Sequence, residues 1–312
     1  MEAWQEFIKG KRNKKDVQMF SFYLMDNILS LHEDLKNKIY KHGGYECFKI
    51  NDPKPRTIHK ASVRDRLLHH AVYRMLYPFF DKTFISNSFS CRDNKGTHKA
   101  IKELIGYARV VSKNNTKACW ILKCDVRKFF TSINQNILIN ILDQRIPDKD
   151  IMNLLKEIIF SFKHNGLPLG NLTSQLFANV YLNKLDQFAK HKLRIKYYIR
   201  YADDFVILSE NKNYLKTILG PISSFLQNEL NITLHPDKIF IKTLSSGVDF
   251  LGWVNFFDYR IVRKITRLRM FKNIEKGSSD YATFSSYFGL LKHGNTHKVK
   301  ENILRRICGL NH

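Results

Sequence analysis

The chain has 312 residues, with 52 Lys and Arg against 28 Asp and Glu, a formal charge of +24. Hydrophobic residues make up 44% and aromatic residues 13%, enough to bury a sizeable core and to exclude a disordered tail. A charge of that sign draws phosphate backbones, anionic membranes or acidic proteins, while no apolar run approaches the roughly 20 residues of a bilayer-spanning helix.

The first residues, MEAWQEFIKGKRNKKD, lack the charged-then-apolar order of a secretory signal, so a soluble, cytoplasmic protein is expected. Within them, the basic cluster at residues 9–15 reads as solvated surface. Next, MFSFYLMDNILSLHEDLKNKIY has helical spacing of its apolar residues, and HGGYECFKINDPKPRTI reads as a glycine turn and a short hairpin. SVRDRLLHHAVYRMLYPFF is expected to be helical as far as Pro78. Five cysteines, Cys47, Cys91, Cys119, Cys124 and Cys308, form no CxxC pair and are odd in number, which argues against a disulfide framework or zinc site.

From Cys119 the pattern changes. CWILKCDV is a nearly continuous apolar run of buried-strand type, with Asp125 interrupting it near its end. Two helices should follow, NILINILDQR and DKDIMNLLKEIIFSF, the second capped by Asp148. HNGLPLGNLT is turn-rich and leads into SQLFANVYLNKLDQFAK, where Phe177, Val180, Tyr181, Leu185 and Phe188 share one helical face. A hairpin is expected around YADD at 201–204, then a helix in NYLKTILGPISSFLQNEL that Gly220 and Pro221 break or kink. NITLHPDKIFI and GVDFLGWVNF look like strands, and RIVRKITRLRMFKNI and YATFSSYFGLL like helices. Strands and helices mixed without βαβ alternation predict an α+β fold.

The hairpin raises the chemical question. Asp203 and Asp204 stand together at a bend, where two carboxylates about 5 Å apart repel by roughly 3 kcal/mol at an effective dielectric near 20. Exposed to water they would be only a polar turn. Joined by Asp125 from a neighbouring strand end, they would offer the hard oxygen ligands that suit Mg²⁺ bound together with substrate phosphates. Two such ions can activate an attacking hydroxyl and stabilise the leaving oxygen of a phosphoryl displacement.

LKCDVRKFF, GLPLGNLTSQLFANVYLNKLD, YADD and DFLGW occur in the order and approximate spacing of the reverse transcriptase palm. PKPRTIHKASVRDRLLHHAV and SNSFSCRDNKGTHKA are similar to the fingers of that family. The resemblance implies a right-hand polymerase with fingers, a palm built on an antiparallel sheet, and a helical thumb. The expected division is an N-terminal extension and fingers over 1–118, a palm over 119–257 with 148–170 partly in the fingers, and a thumb over 258–312. LPLG puts Leu169 where many members carry Gln in a PQG pattern, and Ser174 and Gln175 close the motif. That form, with PKPR and RDNKGTHKA, resembles the reverse transcriptases of diversity-generating retroelements, which copy a template-repeat RNA into cDNA with errors opposite template adenines.

The resemblance implies the following roles. Asp125, Asp203 and Asp204 would hold two Mg²⁺ ions, with Mn²⁺ able to substitute. Lys238 would protonate departing pyrophosphate. Phe130 would exclude a 2′-hydroxyl and so select dNTPs, and Lys54, Arg56, Arg92 and Lys95 would meet the triphosphate or templating nucleotide. Leu169 and Gly170 would lie beside the nascent base pair, Leu169 acting with Arg56 on the error rate. Tyr201 would pack under the primer end and Gly252 would permit the primer-grip bend. Arg263, Lys264, Arg267, Arg269 and Lys272 would follow the template-primer backbone. The implied partners are template RNA, nascent cDNA, dNTPs and an oligomeric, basic accessory variability protein. Two alternatives share many of these features: a retron-type or antiviral-defence bacterial reverse transcriptase, and a non-catalytic RNA-binding scaffold.

Overall fold

In this computed structural model, residues 1–51, 55–275 and 281–307 are described. Lys54 and Cys308 lie outside them. The chain opens with helices α1 (Glu2–Phe7), α2 (Lys15–Phe22) and α3 (Leu24–Lys36), followed by strands β1 (Tyr45–Ile50) and β2 (Arg56–Ala61). These strands pair antiparallel from Tyr45 opposite Ala61 to Ile50 opposite Arg56, the expected hairpin. Helix α4 (Val63–Asp81) starts at a Ser62 cap whose hydroxyl accepts from the Asp65 amide. It runs on through Pro78, because Leu76, Tyr77 and Phe80 bury the final turn and hold it despite the missing N–H.

Helix α5 (Thr97–Val111) buries Ala100, Ile101, Leu104, Ala108 and Val111 at helical spacing. Then come β3 (Trp120–Asp125), the single turn α6 (Phe129–Ser132), α7 (Gln135–Asp143) and α8 (Lys149–Phe160). Asn134 and Asp148 cap α7 and α8 by accepting two amides each. Helix α9 (Leu172–Gln187) is almost wholly buried and leads through a π turn to the hairpin β4 (Tyr198–Tyr201) and β5 (Asp204–Ser209). Helix α10 (Lys212–Leu230) is unbroken at Gly220 and Pro221. Leu215, Ile218, Ile222, Leu226 and Leu230 form a continuous buried stripe that outweighs the lost hydrogen bond.

The remaining strands are β6 (Phe240–Thr243), β7 (Val248–Phe250), β8 (Trp253–Asn255) and β9 (Arg260–Val262), and the remaining helices are α11 (Lys264–Glu275), α12 (Tyr281–Leu291) and α13 (His297–Ile307). Residues 260–262, expected to open a helix, form β9, because Ile261 and its neighbours pair with β8 in a three-stranded antiparallel sheet β7-β8-β9. A four-stranded sheet has the order β4-β5-β3-β6, with β3 and β6 antiparallel.

Two units divide the chain. The first comprises Met1–Gly96, Cys124–Phe205 and Ile218–Ile239; the second comprises Thr97–Lys123, Val206–Thr217 and Phe240–His312. The first has its core in α4, α7, α8 and α9, with Leu68, Leu138, Leu155, Tyr181 and Leu185 buried. The second includes an apolar cluster of Ile101, Trp253, Val262, Leu291 and Ile303. Among the described residues, Cys47, Cys91, Cys119 and Cys124 are free thiols, and no helix is long and apolar enough to cross a membrane.

Candidate active site

Strand β3 is buried along its length and ends at Asp125, which is 8% exposed. Two neighbours fix its position. The Val126 amide donates to the Asp203 carbonyl at 3.2 Å, while the Asp125 carbonyl accepts from the His235 amide at 2.7 Å. The second contact places the turn Pro236–Lys238 beside the strand end, and Lys238 Nζ donates to Asp125 Oδ1 at 2.6 Å.

At the hairpin, Tyr201 ends β4 and Asp204 starts β5, with Ala202 in the left-handed region at φ +53°. Asp203 sits in the bend between them. Burial raises its pKa first, then the charge of Asp125, then that of Asp204, to about 6; Lys238 opposes the rise. A carboxylate 78 residues away in sequence is thus the second cause of the rise at Asp203. The donors are hard carboxylate oxygens that gain from a divalent cation, so their chemistry fits Mg²⁺. Among the described residues, however, no three His, Cys, Asp or Glu side chains are already gathered around one point. The Lys238 ammonium neutralises Asp125 in this arrangement.

Behind the hairpin lies a network that sequence reasoning missed. Arg200 and Asp186 are both 0% exposed and pair bidentately, Nε and Nη2 each donating to a carboxylate oxygen at 2.7 Å. Tyr198 donates to the same carboxylate at 2.8 Å. Arg200 Nη1 donates to Asn179 Oδ1 and to the Ala202 carbonyl, both at 3.1 Å, and Nη2 to Ser88 Oγ at 3.0 Å. Asn179 in turn donates to the Ser90 carbonyl at 2.8 Å. One guanidinium thus ties helix α9, the loop at 88–90 and the carbonyl next to Asp203. The only sequence signal was an Arg directly before YADD.

Phe130 is half-buried, and its carbonyl accepts from the Leu167 amide at 2.8 Å. Gly166 makes this approach possible: its φ is +87°, and a Cβ there would lie 2.1 Å from the Phe130 carbonyl oxygen. Two residues on, the half-buried Leu169 accepts from the His59 amide at 2.9 Å, and Asn171 donates to the His59 carbonyl at 3.2 Å. The LPLG loop is therefore fastened to β2, the strand that begins at Arg56. Gly170 and Arg56 are exposed.

Arg92 requires a correction. Its Nε donates to Asp81 Oδ1 at 2.6 Å, Nη1 to the Ile85 and Ser88 carbonyls, and Nη2 to the Asp81 carbonyl. That fork braces its own loop, so this conformation has no guanidinium there to offer a triphosphate. Lys95 donates to the Ser86 carbonyl at 2.8 Å and lies over the Phe89 ring. In the second unit, Leu251 and Gly252 have φ +52° and +89° at the β7–β8 turn, the pattern of a type I′ hairpin. Arg263 precedes α11 instead of lying in it and forms an ion pair with Asp249. Lys264, Arg267 and Lys272 are exposed on α11, where Arg269 is half-buried.

Residues 39–255 match the family described as reverse transcriptase (RNA-dependent DNA polymerase). A putative COX1/OXI3 intron 2 protein of Saccharomyces cerevisiae is 25% identical over 277 residues, covering 68% of this chain and 30% of that protein. Protein YkfC of Escherichia coli is 24% identical over 255 residues, covering 69% and 65%. The group II intron-encoded protein LtrA of Lactococcus lactis is 22% identical over 289 residues, covering 70% and 46%. The matches thus span less than two-thirds of these relatives' own lengths. Among solved structures, telomerase from Candida tropicalis with a fragment of telomeric RNA aligns at TM-score 0.56 and 14% identity, over 90% of this chain and 56% of that one. Telomerase from Candida albicans, also with a telomeric RNA fragment, aligns at 0.53 and 12%, over 72% and 47%. At that identity the likeness concerns the fold alone, and it bears out a right-hand polymerase of mixed helix and antiparallel sheet. With the motifs, the paired strand ends and most of its length in agreement, the chain belongs to the reverse transcriptase family.

Proposed function

We propose that this protein is an RNA-directed DNA polymerase that extends a primer 3′ end with deoxynucleotides on an RNA template. The observation that carries this reading is the joining of two strand ends that brings the charge of Asp125 to bear on the buried Asp203, with Lys238 at hand. A buried pair of like charges is retained where a cation is part of the work. Asp125, Asp203 and Asp204 would hold Mg²⁺, which when bound lowers the pKa of the primer hydroxyl and offsets charge on the departing pyrophosphate. Lys238 is the general acid for that leaving group. Phe130 walls off the sugar 2′ position, Tyr201 supports the primer end, and the tight turn at Gly252 grips it. Arg56 and Lys95 would meet the incoming or templating nucleotide, as would Lys54, which lies outside the described residues, and Lys264 and Arg267 on α11 would follow the phosphates of the duplex. Primer extension on a defined RNA tests the reading. The wild-type chain should extend, and Asp203→Asn should lower the rate by several orders of magnitude; equal rates would refute it.

Two readings of its biological task compete. Leu169 in LPLG favours the diversity-generating type, because an aliphatic side chain offers the base pair no hydrogen bond and weakens discrimination that depends on polar contact. That type brings a template-repeat RNA and an accessory variability protein as partners. The intron-encoded relatives favour an intron-type enzyme. Sequencing cDNA made by the wild type and by Leu169→Gln separates them: the retroelement reading expects errors concentrated opposite adenine that fall in the variant. An unbiased spectrum in the wild type favours the intron-type enzyme.

A further inference from the structure

The second unit contains a cleft of about 780 Å³ whose lining includes neither Asp125 nor Asp203. One wall is helix α5, which contributes His98, Lys102, Ile105 and Arg109. Their spacing of four, three and four residues aligns them on one face, over a length of about 16 Å. Lys102 and Arg109 are exposed at this wall. The opposite wall is the turn between β8 and β9, where the Phe256 and Tyr259 rings stack at 4.6 Å and 18°. Tyr259 is 49% exposed, so its ring is open to a further stacking partner.

The floor is fixed. The Asn295 amide donates to the Arg260 carbonyl at 2.8 Å, and the Arg260 side chain donates to the His293 carbonyl while lying over the Trp253 ring. Gly294 allows this approach, since a Cβ there would lie 2.3 Å from Trp253. The loop thus holds His293 against His98, ring centroids 3.9 Å apart. His98 has its pKa lowered, by burial first and then by His293 and Arg260, which favours its neutral ring. Among the described residues lining the cleft, Asp258 is the one carboxylate. Lys102, Arg109 and Arg260 thus bring three positive side chains to a lining with that single counter-charge, a balance that suits an anion.

We propose that this cleft binds a short single-stranded stretch of nucleic acid, its phosphates along Lys102 and Arg109 and a base stacked on Tyr259. A duplex does not suit it, because its bases already stack on one another and present no face to the tyrosine. A ribbon of phosphates alternating with flat bases matches both walls, and sequence-tolerant stacking with charge is how single strands are held. The site is independent of polymerisation and would stand even if the chain had another activity.

The test uses the full chain preloaded with a short RNA–DNA primer-template duplex, so that any duplex-binding surface is filled. Binding of a labelled hexanucleotide of mixed sequence is then followed by fluorescence anisotropy, with RNA and DNA probes as separate arms. The wild type should bind in at least one arm, which also identifies the strand type. The double variant Lys102→Ala, Arg109→Ala should bind at least about tenfold more weakly, with a salt slope shallower by about 1.4. Tyr259→Ala should lose about tenfold or more, and Tyr259→Phe should bind like the wild type, since the ring and not the hydroxyl is used. Primer extension from the preloaded duplex should be unchanged in the double variant, which also shows that it is folded. Failure of the preloaded wild type to bind either probe, or wild-type affinity and salt slope in the folded double variant, would overturn the proposal.

Discussion

Arg200 and Asp186 are each fully buried, and Arg200 also holds the Ala202 carbonyl beside Asp203. Removing one member of such a pair strands the other charge away from water, which typically costs about 3–5 kcal/mol. Asp186→Asn should therefore lower the unfolding free energy by about that amount in urea titration; a loss under about 1 kcal/mol would show that water reaches the pair. This residue pair was illegible in the sequence, because Arg200 is one of 52 basic residues and its partner lies on another element. Asp125 and Asp203 stood out as candidates for the opposite reason: a carboxylate interrupting an apolar strand, or one doubled at a bend between two apolar runs, is conspicuous. Arg92 misled by the same ambiguity as Arg200, since a charge in a glycine-containing loop looks like a phosphate ligand until Asp81 and two carbonyls are seen around it.

At the scale of elements, two glycines with left-handed backbones have different work to do. Gly252 turns β7 into β8 with open space where a Cβ would go, whereas Gly166 has the Phe130 carbonyl and Thr131 backbone there. Gly252→Ala should cost only the conformational strain, about 1–2 kcal/mol. Gly166→Ala should cost clearly more and should also slow nucleotide addition, because Leu167 must move off Phe130. Thermal unfolding of the two variants and extension rates for Gly166→Ala check both statements. The helices from α7 to α9 were readable from apolar periodicity and caps, as was the YADD hairpin. Strand β9 was not: three residues rich in basic and β-branched types are ambiguous until β8 offers its edge. Pro78 and Pro221 read as breaks because the cost of a proline is local, while the buried stripes that offset it belong to the tertiary structure.

Across the molecule as a whole, acid should act through His69 on α4. It is 1% exposed, its Nε2 lies 3.2 Å from His42 Nε2, and its Nδ1 has no hydrogen-bond partner among the described residues. Burial, then the neighbouring His42, lowers its pKa to about 3 from 6.5. The unfolded chain takes up this proton first, so the stability that neutral His69 contributes is present above pH 6.5 and is lost as pH falls toward 3. The expected slope is up to about 1.4 kcal/mol per pH unit below 6.5. His69→Gln should flatten it when unfolding free energies are measured at pH 7, 6 and 5; an identical slope would assign the effect to other groups.

The backbone bond between His59 and Leu169 has a consequence for how this chain can change over generations. It uses the carbonyl of residue 169, a group that every amino acid carries, whereas the hairpin floor is locked by side chains on three elements. Residue 169 can therefore be exchanged without loss of that anchor, while the hairpin behind Asp203 depends on side chains that nothing else replaces.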